Sequence, residues 1–201
     1  MTELWLVRHG QTDWNVSGRY QGHTDIPLNA AGLAQAHALA ALLADKSNGH
    51  QPPTFSAIYS SDLSRAYQTA QILAQALGLT VQKHPGLREV GLGDWEGQTR
   101  DIVHASYPEV VLAREANKLD VPPPGGETNR QAARRVAAVA NEIAHACPAG
   151  RVLVVSHGIT VAALICQANG FPLEDIYYNV PDNAQPVVVE WKTTPSSRSD
   201  S

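Results

Sequence analysis

The chain has 201 residues, 43% of them hydrophobic and 17% charged, which suits one globular domain with a large core and excludes a wholly disordered polymer. Its net charge of -4 provides no basic footprint for nucleic acid, its Lys and Arg form no run suited to a membrane surface, and no apolar stretch nears the roughly 20 residues that cross a bilayer. Cys147 and Cys166 are too few for a disulfide framework and read as small buried apolar residues; with no signal-peptide-like apolar region before the first strand, a reducing cytoplasm is the expected setting.

In chain order, Leu4 to Val7 is a short apolar strand, and the Ala/Leu-rich stretch from Asn29 to Ala44 is a helix with Leu33, Ala36, Ala40 and Leu43 along one stripe. Ala57 to Ser60 gives a second strand. Asp62 is the expected N-cap of a helix that carries Ala66, Ala70, Leu73 and Leu77 on one face and stops at Gly78. Thr80 to Lys83 is a third strand. Residues 98 to 118 form one or two short helices broken near Pro108, and Val121-Pro122-Pro123-Pro124-Gly125-Gly126 is a stiff loop. A long helix runs from about Thr128 to Ala146. Arg151 to Val155 has the continuous apolar character of a strand buried on both faces; Ile159 to Ala168 is a helix and Val187 to Trp191 a final strand. Alternating strands and helices imply an α/β protein, a three-layer α/β/α sandwich with a mostly parallel central sheet and right-handed crossovers. Residues 1–192 are assigned to a single domain and 193–201 to a polar, disordered tail.

Reactive residue types gather where strands end. Arg8-His9-Gly10 follows the first strand, Arg65 lies in the Ser60-Ser61-Asp62-Leu63-Ser64-Arg65 segment after the second, Glu89 lies beyond the third, and Ser156-His157-Gly158 follows the buried strand. Ligands of open α/β sheets bind beyond the carboxyl ends of the strands, so these loci can share one site. Two guanidiniums offer paired, charge-assisted hydrogen bonds that match phosphate oxygens. A histidine aligned with phosphorus can serve as nucleophile, and a carboxyl group such as Glu89 can protonate a departing alkoxide. The second histidine and backbone N–H groups of the following helix could stabilise the equatorial oxygens.

The stretch from Leu6 to Asn15, Leu-Val-Arg-His-Gly-Gln-Thr-Asp-Trp-Asn, resembles the signature of the histidine phosphatase superfamily, which includes cofactor-dependent phosphoglycerate mutases. The resemblance continues through Gln21 to Leu28, Ser60 to Ala70, Pro124-Gly125-Gly126-Glu127 and Val155 to Gly158, in the expected order along the chain. It implies His9 as the phosphorylated nucleophile, Arg8, Arg65 and His157 as phosphate ligands, Glu89 as proton donor and Asn15 as a further phosphate contact. It also implies a backbone N–H from Gly158, and places Gln21 and Gly22 near the leaving group. The stretch from Glu89 to Gly97, without a mutase-length insertion after it, is similar to phosphatase members, including α-ribazole and broad-specificity phosphatases.

These observations lead to the expectation of a metal-independent phosphomonoesterase that hydrolyses small phosphorylated metabolites through a phosphohistidine. The alternatives are a cofactor-dependent phosphoglycerate mutase and a catalytically silent phospho-ligand binding module. Glu96 and Asp94 compete with Glu89 for the acid role; His23 is either a substrate contact or a surface residue, and Glu127 either a helix-terminus charge or a ligand contact. His37, His50, His84, His104 and His145 read as surface or packing residues. No His-Glu-x-x-His or Cys/His spacing calls for a metal, so no metal or other cofactor is expected. The expected partner is a small phosphorylated metabolite, without nucleic acid or membrane; a homodimer is left open.

Overall fold

The computed structural model describes residues 1–45, 47 and 52–193; His50 and residues 194–201 of the expected tail lie outside these. Strand β1 (Thr2–Arg8) leads through a short helix α1 (Asp13–Val16) to α2 (Ala30–Ala44). The units β2 (Ala57–Ser60), α3 (Ser64–Leu77) and β3 (Val81–Lys83) follow. After α4 (Arg100–Ser106), α5 (Pro108–Ala116) and α6 (Asn129–Ala146), the chain enters β4 (Arg151–Ser156), α7 (Gly158–Asn169) and β5 (Pro186–Trp191).

The sheet order is β3-β2-β4-β1-β5. β1, β2, β3 and β4 pair in parallel, whereas β5 runs antiparallel along the outer edge of β1. Alternation along the central strands divides the core. Leu4, Leu6, Val152 and Val154 pack with α6 and α7, while Val7, Leu153 and Val155 face α2 and α3. Helices therefore cover both faces of a mostly parallel sheet, and the side chains emerging at its carboxyl edge have solid packing beneath them.

Local chemistry accounts for most element ends. Pro108 opens α5, where its missing N–H costs no helical hydrogen bond, and so separates α4 from α5. Thr128 caps α6 in a reciprocal box with Gln131. Gly78 ends α3 at φ 67°.

Three expectations need correction. Asp62 is not the N-cap of α3: both its oxygens are taken by Arg88, at 2.7 and 2.6 Å. Asp25 caps the helix from a distant loop instead, accepting from the Ser64 N–H at 2.6 Å and the Ser64 hydroxyl at 2.7 Å. On α2, Leu33 is exposed and Gly32 takes the inward position, because the turn after β1 passes too close for a side chain. A Cβ at Gly32 would overlap the Gln11 carbonyl oxygen, and one at Gly10 would meet the Gly32 carbonyl oxygen at 2.5 Å. Cys166 is buried as expected, but Cys147 is only half-buried.

Candidate active site

The parallel ladders bring the ends of β1, β4 and β2 side by side, with the His9 N–H donating to Ser156 O at 2.9 Å and the Ser61 N–H to Val155 O at 3.0 Å. His9 leaves β1 only 3% exposed. Its backbone is fixed by the segment ahead of β5: Asn183 Nδ2 donates to His9 O at 2.7 Å, and the Ala184 N–H to Arg8 O at 2.8 Å. On the other side the Gly10 N–H donates to Thr69 Oγ1 at 3.0 Å.

The His9 ring has a defined tautomer. Nδ1 lies 2.7 Å from Gly10 O, which can only accept, so Nδ1 carries the proton and Nε2 keeps its lone pair. Burial, reinforced by the nearby Arg65 and Arg8 charges, holds His9 well below the ordinary histidine value of 6.5, although the Gly10 hydrogen bond opposes this. The ring is thus neutral at neutral pH.

Arg65, on the first turn of α3, is fully buried. Its Nε donates to His157 Nδ1 at 3.1 Å, Nη1 to Thr24 O at 2.8 Å and Nη2 to Gly22 O at 2.7 Å. Three of its five N–H donors are spent on scaffold, which leaves two for a ligand. Burial lowers its pKa to about 10, against the pull of Glu89, Asp25 and Glu96, so the charge persists at neutral pH. The loop that supplies these carbonyls is itself held by Glu96, which accepts from His23 N, Thr24 N and Thr24 Oγ1. A Cβ at Gly22, where φ is 49°, would collide with the Glu96 carboxylate.

A cavity of about 270 Å³ lies over these strand ends, bounded in part by Arg8, His9, Arg65 and Glu89. Arg19 and Arg114 also line it, so four guanidiniums face one carboxylate in a chain whose net charge is negative. This local charge placement favours an anion over a cation in the pocket. Arg8 donates through Nη1 to Pro181 O at 3.0 Å, while its buried Nε has no acceptor among the described residues, leaving a donor for an incoming anion.

Glu89 sits against the N-terminus of α7. Its Oε1 accepts from the Val90 and Thr160 N–H groups and lies 3.0 Å from the Thr160 hydroxyl, whose one proton also reaches Arg88 O, whereas among the described residues Oε2 accepts only from the Ile159 N–H, at 3.1 Å. A Cβ at Gly158 would stand 3.6 Å from both Glu89 Oε2 and Arg8 Nε, so the absence of a side chain keeps this wall open. Asn15, Gln21, Gly22 and Gly158 also border the pocket.

Other candidates stand back from it. His157 is fully buried beside His9, with ring centroids 5.2 Å apart, and is not part of the pocket wall. Its Nδ1 receives the Arg65 bond, so its Nε2 proton is donated to Ser61 Oγ at 2.9 Å. Burial and the Arg65 charge hold its pKa well below 6.5. In this arrangement it orients Arg65 directly. His23 is exposed, its Nε2 2.8 Å from Glu89 O, and Glu127 pairs with Arg135 at 2.7 Å; neither lines the pocket. Glu96 is committed to the loop and Asp94 is likewise outside the wall. His37, His104 and His145 are exposed, and His84 is half-buried beside Glu142. Sequence patterning missed Arg19, Tyr20, Trp95, Arg114, Asn129, Tyr177 and Asn183, which no local motif connects; the high content of arginine between 88 and 135 was the one available hint.

Known proteins share this architecture. The probable phosphoglycerate mutase GpmB of Yersinia pestis (strain Pestoides F) is 34% identical over 176 residues, covering 86% of this chain and 77% of the relative. Among solved structures, a mycobacterial glucosyl-3-phosphoglycerate phosphatase in complex with VO3 matches with a TM-score of 0.80 and 33% identity, over 92% of this chain and 90% of that one. The α-ribazole phosphatase from Shigella flexneri matches with a TM-score of 0.83 and 30% identity, over 94% and 91% of the two chains. The sequence model of the histidine phosphatase superfamily (branch 1) spans residues 4–196, which takes in the whole pocket lining and the described strands except for Thr2 and Glu3 at the start of β1. With the two histidines, the arginines and Glu89 gathered at the carboxyl edge of such a sheet, the chain belongs to the histidine phosphatase superfamily, branch 1.

Proposed function

We propose that the protein is a metal-independent phosphomonoesterase of small phosphorylated metabolites that works through a phosphohistidine. The observation that carries this is the His9 ring: neutral, with Nδ1–H tied to Gly10 O and the Nε2 lone pair free, in a pocket lined by four guanidiniums. Nε2 attacks phosphorus while the bond to the ester oxygen breaks, and the protonated Glu89 carboxyl delivers its proton to that oxygen. Oε2 is the suited atom, since it accepts from one backbone N–H where Oε1 accepts from two and also meets the Thr160 hydroxyl. Arg8, the two uncommitted donors of Arg65 and the Gly158 end of α7 neutralise the equatorial oxygens as charge spreads over them. Water then attacks the phosphohistidine, Glu89 takes its proton, and inorganic phosphate leaves with His9 neutral again.

The metal-free route rests on the side chains themselves, since His9 supplies the nucleophile and four guanidiniums supply the positive charge beside it. Hydrolysis is supported by the phosphatase-like stretch from Glu89 to Gly97 and by phosphatases among the structural neighbours. The relative named as a phosphoglycerate mutase favours transfer as the second reading. The test is rapid quench during turnover of a labelled phosphomonoester in EDTA. Label should appear on His9 as an acid-labile, alkali-stable bond, with phosphate and alcohol released at equal rates. Label on serine overturns the nucleophile, loss of activity in EDTA the metal-free route, and isomerisation faster than phosphate release the hydrolytic outcome.

A further inference from the structure

The turn that leads into Glu89 lies directly on α6. A Cβ at Gly86 would stand 2.5 Å from Val139 Cγ2, so the missing side chain lets the backbone of Pro85–Leu87 rest against that helix. α6 is itself anchored, with Ala132, Ala133, Val136 and Val139 buried on one face. Arg135 stands between the exposed Arg134 and the buried Val136, and all five of its N–H donors are committed. Nε and Nη2 hold the two Glu127 oxygens, at 3.0 and 2.7 Å. Nη1 donates to Gly86 O at 2.8 Å and to Arg88 O at 3.0 Å, and Nη2 to Glu89 O at 3.2 Å. Other side chains complete the row: Ser156 Oγ donates to Leu87 O at 2.6 Å, and His23 Nε2 lies 2.8 Å from Glu89 O. The successive carbonyls from Gly86 to Glu89 thus all meet side-chain donors. Glu127 ties the next residues down, with its Oε2 3.3 Å from the Gly91 N–H and its own N–H donating to Gly91 O at 2.7 Å.

We propose that Arg135, paired with Glu127, is a positioning residue for proton transfer by Glu89. Neither Arg135 nor Glu127 lines the phosphate pocket, so both act through the backbone on which Glu89 stands and thereby aim its Oε2. The inference rests on the phosphomonoesterase function. As His9 Nε2 bonds to phosphorus and the bond to the ester oxygen breaks, the proton on Glu89 passes to that oxygen, a step that requires hydrogen-bond reach from the start. The N-terminus of α7 holds the carboxylate itself, the Ile159 N–H donating to Oε2 and the Thr160 N–H to Oε1. Arg135 holds the chain behind it. A guanidinium suits this task because its planar fork reaches a carboxylate and several carbonyls at once, and Glu127 balances its charge.

The test compares kcat/KM for 2-phenylethyl phosphate, whose alkoxide leaves only with a proton, with that for 4-nitrophenyl phosphate, whose phenolate needs none. Misplacing a catalytic group by about 1 Å can cost about 100-fold, so Arg135→Met should slow the alkyl ester about 30-fold and the aryl ester less than about threefold. Arg135→Lys, with three donors for the five acceptors, should slow the alkyl ester about tenfold, and Glu127→Gln about fivefold. These milder variants keep the test decisive if Arg135→Met does not fold. Arg134→Met removes the same charge from the exposed neighbour and should leave both rates within about twofold of wild type. An aryl-to-alkyl ratio unchanged in the Arg135 and Glu127 variants, or one shifted as far by Arg134→Met, overturns the positioning role and leaves Arg135 as a structural tie. Amide hydrogen exchange reads the same geometry without turnover. In Arg135→Lys the Ile159 and Thr160 N–H groups, held by the Glu89 carboxylate, should exchange about tenfold faster, and the Val161 N–H, bonded to His157 O, at its wild-type rate. A wild type that hydrolyses neither ester overturns the phosphatase function, and exchange then decides for Arg135: faster exchange retains its hold on Glu89, unchanged exchange overturns it.

Discussion

Replacing Arg65 with lysine should separate its two jobs. The guanidinium spends three N–H donors on His157 Nδ1, Thr24 O and Gly22 O and has two left for phosphate. Lysine keeps the charge but has three donors in all, on a shorter-reaching head that cannot span the three acceptors. Two charge-assisted hydrogen bonds to the transferring phosphoryl group are together worth about 3–6 kcal/mol, part of which the ammonium recovers, so a net loss of about 3 kcal/mol, or roughly 100-fold in kcat/KM, is expected. At least one acceptor also loses its buried partner, at about 1–3 kcal/mol, which lowers Tm by roughly 2–12 °C for a domain of this size. The assay is hydrolysis of 4-nitrophenyl phosphate and inhibition by vanadate, beside thermal melts followed by circular dichroism. A variant that melts early but keeps kcat/KM and vanadate affinity within threefold of wild type would refute the assignment of Arg65 as a phosphate ligand.

Three further outcomes follow from the same geometry. Glu89→Gln should slow alkyl phosphates at least about 100-fold and aryl phosphates far less, because phenolate leaves without a proton; equal losses would move the acid elsewhere. His9 and His157 are held neutral in the fold, so each contributes stability that is complete above the unfolded value of about 6.5 and lost as pH falls from there toward their lowered values. Nitrogen-15 NMR should show both rings unprotonated at pH 5.5, and a midpoint near 6.5 for either would contradict the burial argument. Gly32→Ala forces a Cβ into the Gln11 carbonyl and should cost about 2 kcal/mol or more in urea unfolding; an unchanged midpoint would mean that the turn after β1 gives way freely.

The sequence signals that proved legible were local ones. The apolar runs before Arg8 and Ser156 identify buried strands, Pro108 marks the break between α4 and α5, and the convergence of Arg8, His9, Arg65 and Glu89 follows from each standing at or beyond the carboxyl end of a strand. What depended on distant partners was not legible. Asp62 has the position and residue type of an N-cap, yet Arg88 takes its carboxylate and Asp25 does the capping from 39 residues away. Arg114 lies in a stretch whose sequence indicates only one or two short helices; the packing of α5 against Trp95, Asn129 and Tyr177 is what buries it. His157 illustrates a finer limit, since its place at the strand end was evident but its tautomer is dictated by Arg65 on one ring nitrogen and Ser61 on the other.

The sheet order also governs how the chain must come together. β1 precedes the other strands of this sheet along the chain, yet its two neighbours are β4, from Arg151, and β5, ending at Trp191. Until most of the chain has been made, Leu4, Leu6 and Val7 have no strand to pair with, and the His9 carbonyl waits for Asn183. Such long-range pairing carries a large loop-closure cost and slows folding, while the unpaired apolar strand is open to association with other chains. A chain made only as far as Gly150 therefore presents β1 without either of its partner strands, an apolar edge open to wrong pairing.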